Sequence, residues 1–430
     1  MKVKELFKFP IERKIESVVK VNDEDAEKVR QEMEEYVVTN ALEIHYDNIL
    51  EKILDSKEQP TRDIGVWLSG FFGSGKSLFM KNLSYILEGK KIGSKTASEI
   101  FLTKLENSMT KANLSTINGS MKIRPILFEI KSQEDQMNPD SIVEILYRQF
   151  NKSFGFSEQV WIAELEKELI DANKYEEFKN EIKKETNMEW IDFRTKTLRL
   201  KPVLYKTLKN IYPGVYDTDE KIKESIASFE KISLTPEKFA EKIKEFVDKN
   251  LSAKEKLIFF IDEMGMFVGD NSEKLLELQS IVENVGVKSN GKIWIVVTAQ
   301  EKLDEVIEGV KRKKVEFAKI SDRFNMRITL TSENIDMVVK ERILKKKDSA
   351  IKELTDKYHK IAGKINNDIN FRDWARAKLI PKLDDKSFVE TYPFLPYQLK
   401  VIPEIFNNIR SKGAGYTKLS GRERSMLGAV

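Results

Sequence analysis

The stretch SGFFGSGKS at 69–77 constrains the fold of this 430-residue chain more than any other part of its sequence. The short apolar run IGVWLS (64–69) leads into it. The helix-like sequence SLFMKNLSYILEGK, with apolar residues at helical spacing, begins at its last serine. A strand that passes through a glycine-rich turn straight into a helix is typical of open α/β folds. The stretch therefore predicts a strand, a tight loop and a helix, in that order.

Four more apolar, β-rich runs occur along the chain, and helical sequence separates them. They are RPILFEI (124–130), KLIFFID (256–262), KIWIVVTA (292–299) and MRITLT (326–331). Apolar strands that alternate with helices are typical of a parallel sheet covered on both faces. Together with the loop, they predict an α/β fold of the P-loop NTPase class, with a five-stranded parallel sheet flanked by helices.

Charged helical sequence surrounds these strands and suggests the domain organisation. We predict an N-terminal helical segment at 1–60, a sheet-containing core at 61–332 and a C-terminal helical lid at 333–430. Within the core, 138–250 is charged and helical, and we interpret it as an insertion. The sequence stops at Val430, early in a predicted helix and without a stop signal, so we expect it to be the N-terminal part of a longer protein.

The loop matches G-x-x-x-x-G-K-[ST] at every fixed position. Glycines let successive backbone N–H groups point at phosphate oxygens, and the following helix adds the partial positive charge of its N-terminus. Lys76 is expected to reach the β- and γ-phosphates, and the Ser77 hydroxyl to bind Mg²⁺. ATP and Mg²⁺ are therefore the predicted cofactors. The predicted nucleotide-binding residues of the loop are Gly70, Phe71, Phe72, Gly73, Ser74, Gly75, Lys76, Ser77 and Leu78.

Two acidic residues, Asp262 and Glu263, end the third strand run. The carboxyl ends of parallel strands meet at the edge where open α/β sheets bind ligands. Asp262 is predicted to hold Mg²⁺ through water, and Glu263 to polarise the attacking water. The alternative is that the two acids merely end a strand in solvent. With the loop upstream, we favour an ATP-hydrolysing enzyme.

The next strand run ends VVTAQ, which places two more polar residues at the same edge. A polar side chain between the acids and the γ-phosphate could position water, and either Gln300 or Thr298 is placed for that role. Both could instead be ordinary residues at the end of a strand.

Arg323 directly precedes the fifth strand run, in ISDRFNMRITL (320–330). Here the sequence resembles the AAA+ ATPases, whose Arg-Phe pair before that strand supplies an arginine finger to the neighbouring subunit. The resemblance implies that Arg323 stabilises transition-state charge in a homo-oligomer. Position 326 is methionine where the family often has a second arginine, so only Arg323 carries over.

The segment SGRERSMLGAV begins with a capping-box pattern, since Ser420 and Glu423 have S-x-x-E spacing. Arginines in the first turn of such a helix oppose its dipole unless an anion compensates them. We therefore predict that Arg422 or Arg424 is a lid arginine that contacts the γ-phosphate.

Several stretches together resemble the BrxC and PglY family of P-loop proteins from BREX phage-defence systems. They are FKFPIERKIESVVKVND, EEYVVT, IGVWLSGFFGSGKSLFMKNLSYIL, IFFIDEMGMFV, IVVTAQEKL, YPFLPYQL and GRERSML. The resemblance implies a large AAA+-type ATPase that blocks phage DNA replication. It also implies partners from the same system, including a methyltransferase and a PglZ-type protein.

The predicted function is thus an ATP-driven motor or switch that assembles or remodels a defence complex on DNA. One alternative is a nucleotide-dependent scaffold that turns over slowly. Another is a DNA translocase or loader, which the basic run at 311–314 suggests. MEWIDFRTKTLRLK (188–201) mixes aromatic and basic residues as nucleic-acid sites do, but we favour a packed helix with a solvated face.

The composition excludes several other classes of protein. The chain has no cysteine, so disulfides and thiol chemistry are excluded. No segment approaches the roughly 18 apolar residues that a membrane helix needs, and no signal-like run occurs at the start. We expect a cytoplasmic protein without membrane contact. The two histidines, His45 and His359, have no metal-ligand spacing.

Overall fold

The computed structural model describes residues 2–13, 21, 25–70, 74–133, 141–216, 218–309, 322–331, 335–368, 383–399 and 401. The strands are β1 Gly65–Gly70, β2 Lys91–Ile92, β3 Lys95–Thr96, β4 Lys122–Glu129, β5 Glu255–Asp262, β6 Ile293–Ala299 and β7 Met326–Leu330. Five of them form an all-parallel sheet at the centre, in the order β4-β5-β6-β1-β7. The other two, β2 and β3, form a separate hairpin after the helix that follows the loop at 70–77. The predicted parallel sheet flanked by helices is confirmed.

Helices surround the sheet and account for most of the described chain. In chain order they are α1 Ala26–Glu35, α2 Asn40–Asp55, α3 Lys76–Glu88, α4 Ala97–Leu102, α5 Ser108–Ser120, α6 Ile142–Ser153, α7 Val160–Asp171, α8 Tyr175–Thr186, α9 Trp190–Phe193, α10 Thr197–Ile211, α11 Asp219–Glu230, α12 Pro236–Asn250, α13 Met264–Val268, α14 Ser272–Ser289, α15 Leu303–Gly309, α16 Ile335–Arg342, α17 Asp348–Asp368 and α18 Asp385–Thr391. None of these helices is long and apolar enough to span a membrane.

Strands β5 and β6 consist mostly of apolar residues, and helices cover both of their faces. β6 is buried along its whole length, and in β5 only the first residue is partly exposed. Helices α2 to α5 contact one another, and α6, α12 and α14 form a second group; members of both groups contact the sheet. This two-sided burial explains why β5 and β6 read as near-continuous apolar runs rather than as alternating ones.

The region predicted as one helical insertion has two kinds of helix. The flanking helices α6 and α12 contribute to the main core together with the sheet. Helices α7 to α11 enclose a second core of their own, which includes Phe178, Trp190 and Leu204. The aromatic residues Trp190 and Phe193 of the 188–201 stretch are buried there, as a packed helix requires, and are not exposed for base stacking.

The first residues of the chain pack against its C-terminal helices. Phe7 forms an antiparallel bridge with Lys346, and the Lys347 N–H donates to the Leu6 carbonyl at 2.9 Å. Glu35, at the end of α1, accepts hydrogen bonds from Arg13 at 2.8 Å and Arg342 at 3.0 Å. Burial opposes ionisation of Glu35, but these bonds and one from Gln31 hold its pKa below the usual value. Helix α16, α1 and the N-terminal segment are thereby joined.

Candidate functional site

The glycine-rich loop connects β1 to α3 at the C-terminal edge of the sheet. A Cβ on Gly70 would lie 2.5 Å from the Ser74 Oγ and 2.8 Å from the Leu330 carbonyl of β7, so only glycine fits there. Gly75 has a φ of 86° immediately before the helix, a left-handed conformation that glycine adopts without strain. The predicted residues Phe71, Phe72 and Gly73 lie outside the described part of the chain.

Lys76 is the first residue of α3 and folds back over the loop. Its Nζ donates a hydrogen bond to the Gly70 carbonyl at 2.7 Å. Partial burial lowers its pKa, and the negative charges of Asp262 and Glu263 act in the opposite direction. The charges of Lys76 and of the two acids at the end of β5 therefore act on one another. Both groups lie at the carboxyl edge of the parallel sheet.

The loop residues around Lys76 fit a bound phosphate and metal ion. The Ser74 hydroxyl is buried and has no hydrogen-bond partner among the described residues, an arrangement that is costly without a ligand. Ser77 and Leu78, in the first turn of α3, are half-buried. No cluster of three acidic or histidine side chains that could hold a metal occurs in the described ranges. Mg²⁺ does not need one, because it commonly binds through one carboxylate together with substrate phosphates.

Asp262 is held in place by the neighbouring strand β6. Only 4 % of its surface is exposed, and the Thr298 Oγ1 donates a hydrogen bond to its Oδ1 at 2.5 Å. The same hydroxyl accepts from the Glu263 backbone N–H at 2.9 Å. Because the hydroxyl proton of Thr298 is committed to Asp262, this geometry makes Thr298 a positioning residue for the two acids.

Glu263 has a backbone conformation that is unusual for its residue type. Its φ of 60° and ψ of 24° are left-handed. The other described non-glycine residues with positive φ are all asparagines, which tolerate this conformation, at the ends of helices: Asn173, Asn187 and Asn290. A glutamate held there stores about 1–3 kcal/mol of strain, and such strain is typical of functional sites.

The turn after Glu263 leads directly into α13, which packs closely on the end of β6. A Cβ on Gly265 would lie 2.5 Å from the Cβ of Ala299, so a larger residue would push the helix away from the strand. The sequence analysis did not single out Gly265. The sequence feature that could have indicated it is the glycine of DEMG, two residues after Glu263.

The carboxylate of Glu263 lies among several charges. Burial, together with the negative charges of Asp262 and Glu129, raises its pKa, while Lys131 and Lys76 act to lower it. The sequence analysis did not single out Glu129, which lies near the end of the predicted strand at 124–130, or Lys131, which directly follows that strand. A raised pKa brings a carboxylate closer to the value that suits a general base near neutral pH.

Gln300 lies one residue beyond β6, and its side chain faces α13. Its Nε2 contacts the Met266 sulfur at 2.8 Å. The structure thus brings Thr298 into direct contact with the acids and places Gln300 against the helix that follows Glu263. Of the two residues predicted to position water, Gln300 is the one whose hydrogens are not committed to a carboxylate.

Arg323 lies at the opposite, N-terminal edge of the sheet. Its carbonyl adjoins Gly65, the first residue of β1, whereas the loop follows the last residue of that strand. Five residue steps along a strand span about 17 Å, so Arg323 does not reach the loop of its own chain. Its Nη2 bonds Glu283 at 2.6 Å, and its Nε is buried with no partner in the described ranges. Arg422 and Arg424 lie outside those ranges.

In comparisons with known proteins, no family model matches this chain. No solved structure is significantly similar to it. The assignment of a function therefore rests on the residues of the site and on the motifs of the sequence.

Proposed function

We propose that this chain binds ATP and Mg²⁺ at the C-terminal edge of its sheet and hydrolyses the nucleotide. The observation that carries the proposal is the shared site of Lys76, Asp262 and Glu263, which come from a G-x-x-x-x-G-K-S loop and from a separate strand. The buried hydroxyl of Ser74, which has no partner among the described residues, and the close contacts around Gly70 support a phosphate ligand there.

Each residue has a distinct role in this proposal. Lys76 and the loop N–H groups bind the phosphates, and Ser77 with Asp262 would hold Mg²⁺, which neutralises phosphate charge when bound. Glu263 accepts a proton from the attacking water, and its raised pKa favours that role at neutral pH. Thr298 fixes Asp262 and the backbone of Glu263. Gln300 remains the candidate for positioning the water.

We further propose that the site is completed by a neighbouring copy of the chain. Arg323 is too far from its own loop, and it is partly exposed beside Glu283 at the other edge of the sheet. A head-to-tail assembly would present this edge to the next subunit's nucleotide, where an arginine neutralises transition-state charge. Arg323→Ala should then lose about 10³-fold in turnover. Mixed oligomers in which another subunit has an intact Arg323 should recover activity, and absence of recovery at every mixing ratio would contradict the role in trans.

The biological setting is proposed from the sequence motifs alone. Their resemblance to BREX P-loop proteins supports an AAA+-type module, with a C-terminal helical lid, that acts in a cytoplasmic phage-defence complex on DNA. The alternative of a slowly hydrolysing switch keeps the same site and differs only in rate. A translocase or loader would bind DNA with a strong salt dependence, because phosphate contacts release counterions.

The decisive experiment measures nucleotide binding and hydrolysis by the purified chain. The parent should bind a fluorescent ATP analogue and release phosphate when Mg²⁺ is added. Lys76→Met should lose at least about tenfold in nucleotide affinity. Lys90→Met, at the other end of α3, is the matched control and should behave like the parent. Normal turnover by Lys76→Met would refute the proposed site.

A second measurement separates the enzyme from the switch. Single-turnover hydrolysis is followed with and without duplex DNA, at low and at high salt. Binding without turnover in all conditions supports the switch, whereas turnover that DNA stimulates supports the motor. The molecular mass of the same samples with and without ATP shows whether the chain forms an oligomer, which Arg323 needs if it acts on a neighbouring subunit.

A further inference from the structure

A groove with apolar walls lies where the second core meets α6. It is formed by the first two turns of α6, the start of α7 and the segment that joins α11 to α12, and its volume of about 410 Å³ is usual for a binding site. The half-buried apolar side chains that line it are Val160, Trp161, Phe229, Ile232 and Leu234. Apolar side chains gathered in one open groove indicate a surface that a partner covers.

The rim of this groove is mostly acidic. The charged residues among the described ones that line it are Glu144, Arg148, Glu158 and Glu230. Glu158 pairs with Lys152 at 2.9 Å and Glu230 pairs with Lys201 at 2.7 Å, and all four of these side chains are at least one third exposed. Because exposed ion pairs contribute little to stability, these carboxylates can exchange a lysine for an incoming cation. We call this surface the acidic groove.

The start of α10 has the opposite character. Leu198, in its first turn, is 94 % exposed. The side chains on either side of it in the sequence that carry charge, Lys196 and Arg199, are also exposed, and neither makes an ion pair with a described residue. The first turn of α10 contains no acidic residue, so the partial positive charge of the helix N-terminus adds to these cations. We call Lys196, Leu198 and Arg199 the α10 tip; its apolar and basic character complements the acidic groove.

The α10 tip and the acidic groove adjoin on the same chain. Lys201, which lies one turn after Leu198 on the same side of α10, forms its ion pair with Glu230 at the groove. Leu198 is nevertheless exposed, so it does not fill the groove of its own chain. Two complementary surfaces that adjoin on one chain can meet their counterparts across a two-fold axis, because each copy then offers its tip to the groove of the other.

We propose that two copies of this chain associate through these surfaces, with the α10 tip of each copy in the acidic groove of the other. This contact is two-fold symmetric, unlike the head-to-tail contact proposed for Arg323, and it uses no residue of the nucleotide site. It therefore does not depend on the proposed ATP hydrolysis. A chain that forms both kinds of contact assembles with dihedral symmetry and an even number of subunits.

The first test measures the molecular mass of the purified chain by sedimentation, over a range of protein concentrations and without nucleotide. The parent should form a dimer. Leu198→Asp should raise the dissociation constant of the dimer at least about 100-fold, because an apolar anchor is lost and a carboxylate faces the acidic rim. Val215→Asp changes another exposed apolar residue, just beyond the opposite end of α10, and should match the parent.

Charge reversal tests the pairing of tip and groove directly. Glu158→Lys and Arg199→Glu should each weaken the dimer about tenfold, because each places like charges opposite one another. An equimolar mixture of the two variants should recover the parental affinity, since each tip then meets a groove of opposite charge. A variant that merely misfolds cannot produce this recovery. Absence of recovery in the mixture would overturn the proposed pairing.

Two further outcomes would contradict this inference and leave the proposed ATPase unaffected. One is a parent that stays monomeric at every concentration. The other is a Leu198→Asp variant that keeps the parental mass. If that variant also lost binding to duplex DNA, the α10 tip would be a nucleic-acid contact and not a contact between copies of the chain.

Discussion

The two edges of the sheet use the same kinds of residue in different ways. At the C-terminal edge, Lys76 contacts one carbonyl and faces two carboxylates, Glu263 is strained and the Ser74 hydroxyl is buried without a partner in the described chain. At the N-terminal edge, Lys256 is buried with 6 % of its surface exposed. It donates to the Ser56 carbonyl at 3.0 Å and the Gly291 carbonyl at 2.6 Å.

This difference separates a binding edge from a structural edge. Lys256 joins the end of α2, the turn before β6 and strand β5, all of them parts of the fold. Lys76 donates to a carbonyl of its own loop and is attracted by the charges of Asp262 and Glu263. A buried lysine is therefore not by itself a functional signal. The signals are the carboxylates near Lys76 and the Ser74 hydroxyl, which is buried without a partner in the described ranges. Variants at each edge should accordingly affect different measurements.

The largest effect is expected at the C-terminal edge, from Glu263→Gln. The amide keeps the size of the side chain but cannot accept the water proton, so kcat should fall by about 10²–10⁴-fold. Nucleotide affinity should be unchanged or tighter, because a negative charge near the phosphates is removed. Phosphate release and analogue binding measure the two quantities. Unaltered hydrolysis in Glu263→Gln would contradict the proposal that the C-terminal edge of the sheet is catalytic.

A smaller loss of activity is expected from Thr298→Val. Valine preserves the shape of the side chain but leaves Asp262 and the Glu263 N–H without their shared hydroxyl, and kcat should fall by about tenfold. Thr298→Ser keeps the hydroxyl and should retain most of the activity. A Thr298→Val variant with parental kcat would show that these two hydrogen bonds do not position the acids.

At the N-terminal edge, Gly286→Ala should reduce stability and leave nucleotide affinity unchanged. The new Cβ would lie 2.4 Å from the Arg62 carbonyl, so α14 must move away from the start of β1. Overpacking of this kind costs about 1–3 kcal/mol in unfolding free energy. Urea denaturation measures it, and Gly363→Ala, a helical glycine with open space around it, is the control. Equal stability of both variants would contradict a tightly packed edge.

The smallest effect is a pH dependence of stability from Lys256. Burial lowers its pKa to about 8, so between about pH 8 and 10.5 the unfolded chain binds a proton that the folded chain does not. The contribution of Lys256 to the free energy of unfolding therefore increases as pH rises. The difference in unfolding free energy between the parent and Lys256→Met should shift in favour of the parent by about 1–2 kcal/mol from pH 7 to pH 9.5. A difference that does not change with pH would contradict the buried charge.

Much of the sheet could be predicted from the sequence, because most of its strands are buried and are therefore written as short apolar runs. All five strands of the main sheet begin and end within two residues of the predicted ranges. The acids were predictable for the same reason, since Asp262 and Glu263 terminate such a run. Local sequence does not encode which loops meet across the sheet, so the register pairing of Glu129 with Asp262 was not predictable.

Contacts between helices that are distant in the chain could not be predicted from the sequence either. The range 138–250 was predicted as one insertion because its helices have similar composition. Only tertiary packing separates α6 and α12, which belong to the main core, from α7 to α11. The bond of Arg323 to Glu283 joins residues 40 positions apart in the chain and has no local signature.

The pairing of the first residues with the C-terminal helices has a consequence for biosynthesis. Leu6 packs with Ala350, Leu354 and Val389, and Phe7 packs with Val339 and Leu344, among other residues. A ribosome releases Leu6 and Phe7 more than 300 residues before these partners. Leu6 and Phe7 therefore reach these packing partners only after the sheet and the second core have been synthesised. Because apolar side chains without their partners are prone to aggregate, we expect chaperones to bind this segment during translation.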